Sequence, residues 1–266
     1  MTIKTHYMKN NPCYINARVT DKQGIMLHTT GATNKFLSRY VAPDDGTIGK
    51  NKYNNDWNRT TLNGEPLGLA VHGFIGESKM GDVLAYNVIP YEYETWNCGG
   101  SGNQTHISWE ICEGNPTDKV YFDKAWNVAV TAFAEICIQY GWGINRITSH
   151  VEGYKRGIAS NHGDPNIYFS HFGKTMRDFR LAVKDKINTI KKDAEKAHEQ
   201  SLGEIGSEIC HHMLLSFYTS KTGKNDTIEN VCKWLMTNGY ISNVEYWVSD
   251  NPKRFDWYMN IFSKMI

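Results

Sequence analysis

The sequence predicts an α/β fold, in which short strands build a sheet and helices pack against it. Three observations carry this reading. Residues 24–28 form a short apolar run with the length of a buried strand. Residues 105–113 alternate, with Ile107, Trp109 and Ile111 on one face and His106, Ser108, Glu110 and Cys112 on the other. Ala125, Val128, Ala129, Ala132, Phe133, Ile136, Cys137 and Tyr140 recur at helical spacing, so a helix from Asp123 to Tyr140 turns one face to a sheet, and Gly141 stops it.

A chain of 266 residues holds one large domain, or a domain with a small module. A net charge of +1 gives no basic face, so no nucleic-acid partner is expected. Mean hydropathy is −0.52 and no run of 18 apolar residues occurs, so no membrane insertion is expected either. Residues 1–6 lack the apolar core of a secretory signal, which predicts synthesis in the cytoplasm without a signal peptide. Cys13, Cys98, Cys112, Cys137, Cys210 and Cys232 form no C-x-x-C pair and are expected to be buried free thiols.

In order along the chain, residues 1–23 are mixed and polar, with a turn expected at Asn11-Pro12. The 24–28 strand ends on His28. Residues 40–66, rich in Asn, Asp, Gly and Thr, read as loop lining a substrate groove. Residues 67–75 and 83–89 read as two strands joined by a turn, with His72 in a structural role. The glycine-rich stretch 96–103 has no following lysine, so it is not a phosphate loop. Residues 148–165 carry His150, His162 and Asp164 among glycines with almost no apolar periodicity, and are expected to be a shaped loop.

A second helix starts near Gly173, with Met176, Phe179, Ala182 and Val183 inward, and runs into a mixed-charge stretch. This divides the chain into a catalytic domain at 1–185, a helical linker at 186–203 and a small helical module at 204–266. In the module, Asp226 or Thr227 caps a helix with Ile228, Val231, Cys232, Leu235 and Met236 inward, ended by Asn238-Gly239. The tail beyond is aromatic, with Tyr246, Trp247, Phe255, Trp257 and Tyr258. Some 60 residues barely bury an independent core, so the module packs on the first domain or forms a homodimer.

His28, His150 and Asp164 supply two imidazoles and a carboxylate from distant parts of the chain, a donor set suited to Zn2+ with an open fourth position. Fourteen residues separate His150 from Asp164, so the segment must fold back, with Gly153, Gly157 and Gly163 as reversal points. Zinc lowers the pKa of its water and polarises a carbonyl. Glu110 is placed to take the proton and His162 to stabilise the oxyanion. H-E-x-x-H and G-x-S-x-G are both absent, which argues against thermolysin-like peptidases and the common serine-hydrolase elbow. The residues therefore read as a zinc-assisted amide or ester hydrolase.

Leu27-His28-Thr29-Thr30-Gly31-Ala32, Trp96-Asn97-Cys98-Gly99, Ile107-Ser108-Trp109-Glu110-Ile111-Cys112-Glu113, Ser149-His150-Val151-Glu152-Gly153-Tyr154 and Gly157-Ile158-Ala159-Ser160-Asn161-His162-Gly163-Asp164-Pro165 fall in a characteristic order. Together they resemble the zinc N-acetylmuramoyl-L-alanine amidases of the peptidoglycan-recognition-protein type, as in phage endolysins and autolysins of Gram-positive bacteria. The resemblance covers residues 10–185 and implies a central mixed β-sheet flanked by helices. It implies bacterial peptidoglycan as partner and cleavage of the amide between N-acetylmuramic acid and L-alanine. By position, His28, His150 and Asp164 match the zinc ligands and Glu110 the catalytic acid. His162 stands where relatives often have lysine and Asn97 where many have histidine, while 50–66 reads as an insertion. An endolysin of this kind leaves the cytoplasm through a separate holin-type pore. The tail resembles short helical segments of clostridial-type lysins, which implies wall binding or self-association. Two other functions fit less well: a non-catalytic peptidoglycan-binding module, and an intracellular amidase that recycles muropeptides.

Overall fold

The computed structural model describes residues 3–240. The chain divides into two compact units, Met1–Asn188 and Thr189–Ile266. In chain order the strands are β1 (Ile3–Thr5), β2 (Gly24–Thr33), β3 (Thr61–Leu62), β4 (Glu65–Pro66), β5 (Gly73–Glu77), β6 (Val83–Asn87), β7 (His106–Glu113) and β8 (Ile147–Ser149). The helices are α1 (Pro12–Asn16), α2 (Gly102–Thr105), α3 (Lys119–Tyr140), α4 (His150–Lys155), α5 (Asn166–Ser170), α6 (Met176–Thr222) and α7 (Ile228–Thr237). Six strands form one sheet in the order β1-β6-β5-β7-β2-β8, and β3 pairs with β4 apart from it. β5 and β6 are antiparallel and every other neighbouring pair is parallel, so the sheet is mixed and flanked by helices.

β7 lies between β5 and β2, and residues 107–112 are buried on both faces. On one face the indole of Trp109 lies against Gly73, where a Cβ would come within 2.5 Å of the ring. Only glycine leaves room for that ring. α3 packs on β5 and β6, burying Ala125, Trp126, Ala129, Phe133, Ile136 and Cys137. On the opposite face Phe74 and Cys112 join a cluster in which Tyr40 stacks on Phe74 at 5.3 Å and Trp57 meets it edge-on at 5.1 Å. That second layer includes residues of the 40–66 stretch, so this polar loop is anchored by its few apolar side chains.

Several boundaries differ from the sequence expectation. Asn11-Pro12 opens a helix, because the Asn11 side chain accepts from the Cys13 N–H and proline suits the first turn. β2 continues past His28 to Thr33, where the strand turns outward and loses its apolar signal. α3 begins at Lys119, capped by Asp118 through the Tyr121 N–H, while Asp123 lies inside it and pairs with Lys119. The 67–75 strand is shorter, beginning at Gly73. The five described cysteines are buried free thiols.

His72 shows why a buried histidine need not be catalytic. Its Nδ1 accepts from the Ser108 N–H at 2.9 Å and its Nε2 donates to the Tyr93 carbonyl at 2.8 Å. This pattern fits the neutral ring and leaves no site for a second proton. Burial, assisted by Lys22, lowers its pKa from 6.5 to about 3. The unfolded chain takes up this proton near 6.5 and the native chain only near 3, so stability falls as pH drops through that window. Across the whole window the loss is on the order of 5 kcal/mol. Urea midpoints measured from pH 7 to 4 should fall for the wild type, with a shallower slope in His72→Gln.

Among the described residues, the second unit holds the end of α6 and α7. Leu214 and Tyr218 pack with Val231, Cys232 and Leu235, across a turn in which Gly223 takes φ +69°. Thr227 caps α7 and Asn238 closes it, while Met236 points outward at 44% exposure rather than into the core. α6 is continuous through residues 186–203. The aromatic tail, with Tyr246, Trp247, Phe255, Trp257 and Tyr258, lies outside the described residues. No helix among the described residues is long and apolar enough to cross a membrane.

Candidate metal centre and active site

Strand register assembles the site. His28 of β2 is paired with Glu110 of β7, so both side chains leave the same face of adjacent strands, about 4.8 Å apart along the sheet. On the other side of β2, Leu27 is paired with Ser149 of β8, and the next residue is His150. Two neighbouring strands and the residue that follows a third thus deliver a carboxyl and two imidazoles to one end of the sheet.

The segment 148–165 is not one loop, which corrects the sequence reading. β8 runs into α4, and His150 is its first residue. The Ser149 side chain accepts from the Glu152 N–H, and Glu152 accepts from the Ser149 N–H. This reciprocal cap was present in the sequence as Ser149-x-x-Glu152. Arg180 of α6 then grips Glu152 with two bonds of 2.9 and 3.0 Å. Burial opposes ionisation of Glu152, but the Arg180 pair outweighs it and lowers the pKa. The helix that carries His150 is therefore fastened at both its cap and its side. Of the three glycines expected to reverse the chain, only Gly157 takes a left-handed conformation, with φ +73°. Gly153 instead allows close packing, since a Cβ there would lie 2.9 Å from Met26.

Asp164 returns to the two histidines. His28 Nδ1 lies 3.1 Å from His150 Nδ1 and 3.0 Å from Asp164 Oδ2, and His150 Nδ1 lies 3.2 Å from Asp164 Oδ1. Among the described residues this is the one group of metal-ligating side chains whose donor atoms lie within 4.8 Å of one another. Burial works against the Asp164 carboxylate, but bonds from His150 and His28 overcome it and hold the pKa well below the usual value. Burial lowers the His28 pKa, favouring the neutral ring with a free lone pair.

A cleft of about 540 Å³ opens on this cluster. Its wall includes Trp57, Leu69, Ile167 and Tyr168, and Glu110 and His162 face it as well. Glu110 is 8% exposed, and its Oε2 is buried without a hydrogen-bond partner. Burial, with the charges of Asp164 and Glu113 adding to it, pushes its carboxyl well above the usual range. His162 is exposed and stacks on His150 at 4.7 Å with the rings 16° apart. Every site residue expected from the sequence lines this one cleft. Glu152 and Arg180, which hold His150 in place, were not anticipated. Trp57 was expected only as part of a groove-lining stretch.

Residues 18–167 match the family model of N-acetylmuramoyl-L-alanine amidase. No curated protein matches the chain. Among solved structures, the Staphylococcus aureus hydrolase AmiA in complex with its ligand is 20% identical over 70% of this chain and 83% of that chain, with a TM-score of 0.50. That likeness extends to the fold. The PlyG catalytic domain is 21% identical over 70% of this chain and 96% of its own, with a TM-score of 0.46. A selenomethionine derivative of AmpD is 16% identical over 68% and 94%, with a TM-score of 0.42. With its matched segment spanning more than half of the sequence and containing the whole metal-ligand cluster, the chain belongs to the N-acetylmuramoyl-L-alanine amidase family.

Proposed function

We propose that the protein is a zinc-dependent peptidoglycan hydrolase that cleaves the amide between N-acetylmuramic acid and the first L-alanine of the stem peptide. The observation that carries this reading is the meeting of His28, His150 and Asp164 beside an unpartnered buried carboxyl, in a chain of this family. The donor set fits zinc. Two ring nitrogens 3.1 Å apart, with a carboxylate oxygen about as close to each, converge on one point and suit a single cation. When bound, zinc polarises the scissile carbonyl and acidifies water.

The chain's own groups do the rest. A water molecule attacks the carbonyl carbon, and Glu110 takes its proton; the raised pKa suits a carboxyl that must accept and then release it. His162 donates a hydrogen bond to the developing oxyanion. Glu110 passes the proton to the amide nitrogen as the C–N bond breaks, leaving a muramoyl carboxylate and a free alanine amine. Trp57, Leu69 and Ile167 give the cleft an apolar wall against which substrate can settle.

We further assign the protein to the endolysins, acting on the intact wall of a Gram-positive host. The helical unit beyond the matched segment supports this, with residues 204–266 as a wall-binding or self-associating module. Turnover of intact walls and of soluble muropeptides, measured after chelation and after zinc is restored, tests both points. The expected result is zinc-restored activity with intact walls preferred. A preference for soluble fragments would favour a recycling amidase, and wall binding without turnover would favour a non-catalytic module.

A further inference from the structure

The glycine-rich stretch 96–103, which is not a phosphate loop, borders the metal cluster. Two buried polar atoms there have no partner: His28 Nε2 and Asn97 Oδ1. The Asn97 carboxamide is oriented by its own bonds, since its Nδ2 donates to Thr95 Oγ1 at 2.9 Å and to the Thr95 carbonyl at 3.3 Å. Its backbone N–H is taken by Asn103 Oδ1 at 3.0 Å. Only the carbonyl oxygen of the side chain is left, as an acceptor. His28 and Asn97 line the same cleft, so a ring nitrogen able to donate and an oxygen able to accept, both without a partner, belong to one wall.

The next residue of the loop serves the other histidine. Ser160 Oγ donates to the Cys98 carbonyl at 3.0 Å, and so presents its lone pairs to His150 Nε2 at 3.4 Å. The Ser160 N–H also binds the Cys98 carbonyl, at 2.7 Å. The loop is held on this segment by close packing, because a Cβ at Gly100 would lie 2.5 Å from the Ile158 carbonyl oxygen. The Gly102 N–H bonds that same oxygen at 2.8 Å.

We infer that this loop is the outer shell of the metal site, with Asn97 and the Ser160–Cys98 pair as positioning groups. They hold the Nε2 protons of His28 and His150 and leave both Nδ1 lone pairs directed at the ion. An acceptor on the far nitrogen fixes the tautomer of a ligating histidine and raises its basicity. The inference rests on the zinc reading given above.

The test is a competition titration of zinc against a chromophoric chelator, for the wild type and for Asn97→Ala, Asn97→Asp and Ser160→Ala. The alanine variants should bind zinc about 10- to 100-fold more weakly. Asn97→Asp, which keeps an acceptor, should stay near wild type, and the Tm of the zinc-free protein should be unchanged in all three. Wild-type affinity in both alanine variants would overturn the inference alone. So would affinity losses matched by a lower zinc-free Tm, which would mark the loop as mere scaffold. A wild type that binds no zinc would instead overturn the zinc reading, and this inference with it.

Discussion

Glu110→Gln should retain bound zinc and lose about 10²- to 10⁴-fold in kcat, the range for removal of a general acid–base. Glutamine keeps the size and polarity of the side chain but cannot carry the proton from water to the leaving nitrogen. Because burial opposes ionisation of Glu110 and leaves its Oε2 without a partner, a neutral amide removes a group whose ionisation folding penalises. The variant should therefore be at least as stable as the wild type. Turnover measured beside zinc content and thermal unfolding separates these effects. Near-normal turnover would remove Glu110 from the chemistry.

The second large effect concerns the ligands. Alanine at His28, His150 or Asp164 should reduce bound zinc from one ion per chain to a small fraction and abolish hydrolysis. Each substitution leaves two donors, fewer than the three protein ligands on which catalytic zinc sites rest. Asp164→Ala differs from the other two in the zinc-free protein. It removes a carboxylate held low in pKa by His150 and His28, and leaves two buried rings 3.1 Å apart without their common partner. Its zinc-free form should be the least stable of the three. Normal zinc content in all three variants would show that the ion sits elsewhere.

Much of this was legible in the sequence, for reasons that differ by residue. β7 and α3 declared themselves by periodicity, β7 by its alternation of apolar and polar side chains, although both its faces are buried, and α3 by the helical repeat of its buried face. His28 and Glu110 were legible as polar groups within or beside apolar runs, where an ionisable side chain is out of place unless used. Their pairing across β2 and β7 was not, because strand register is set by contacts distant in sequence. The segment around His150 misled for a physical reason. A helix of six residues is too short to show apolar periodicity, and its only local mark was the Ser149-x-x-Glu152 cap. Arg180, which secures that cap from α6, has no sequence signal at all because its partner lies 28 positions away. The start of α3 was displaced for a simpler reason: Asp118 and Asp123 both suit a cap, and the chain uses the first.

The central claim is that this cleft hydrolyses the muramoyl–alanine amide with a metal held by His28, His150 and Asp164. Mass-spectrometric identification of the products from purified peptidoglycan, with and without a zinc chelator, tests it most directly. The account predicts new amino-terminal alanine and no new reducing sugar ends, lost on chelation and restored by zinc. New reducing ends, or amide cleavage indifferent to chelation, would contradict it.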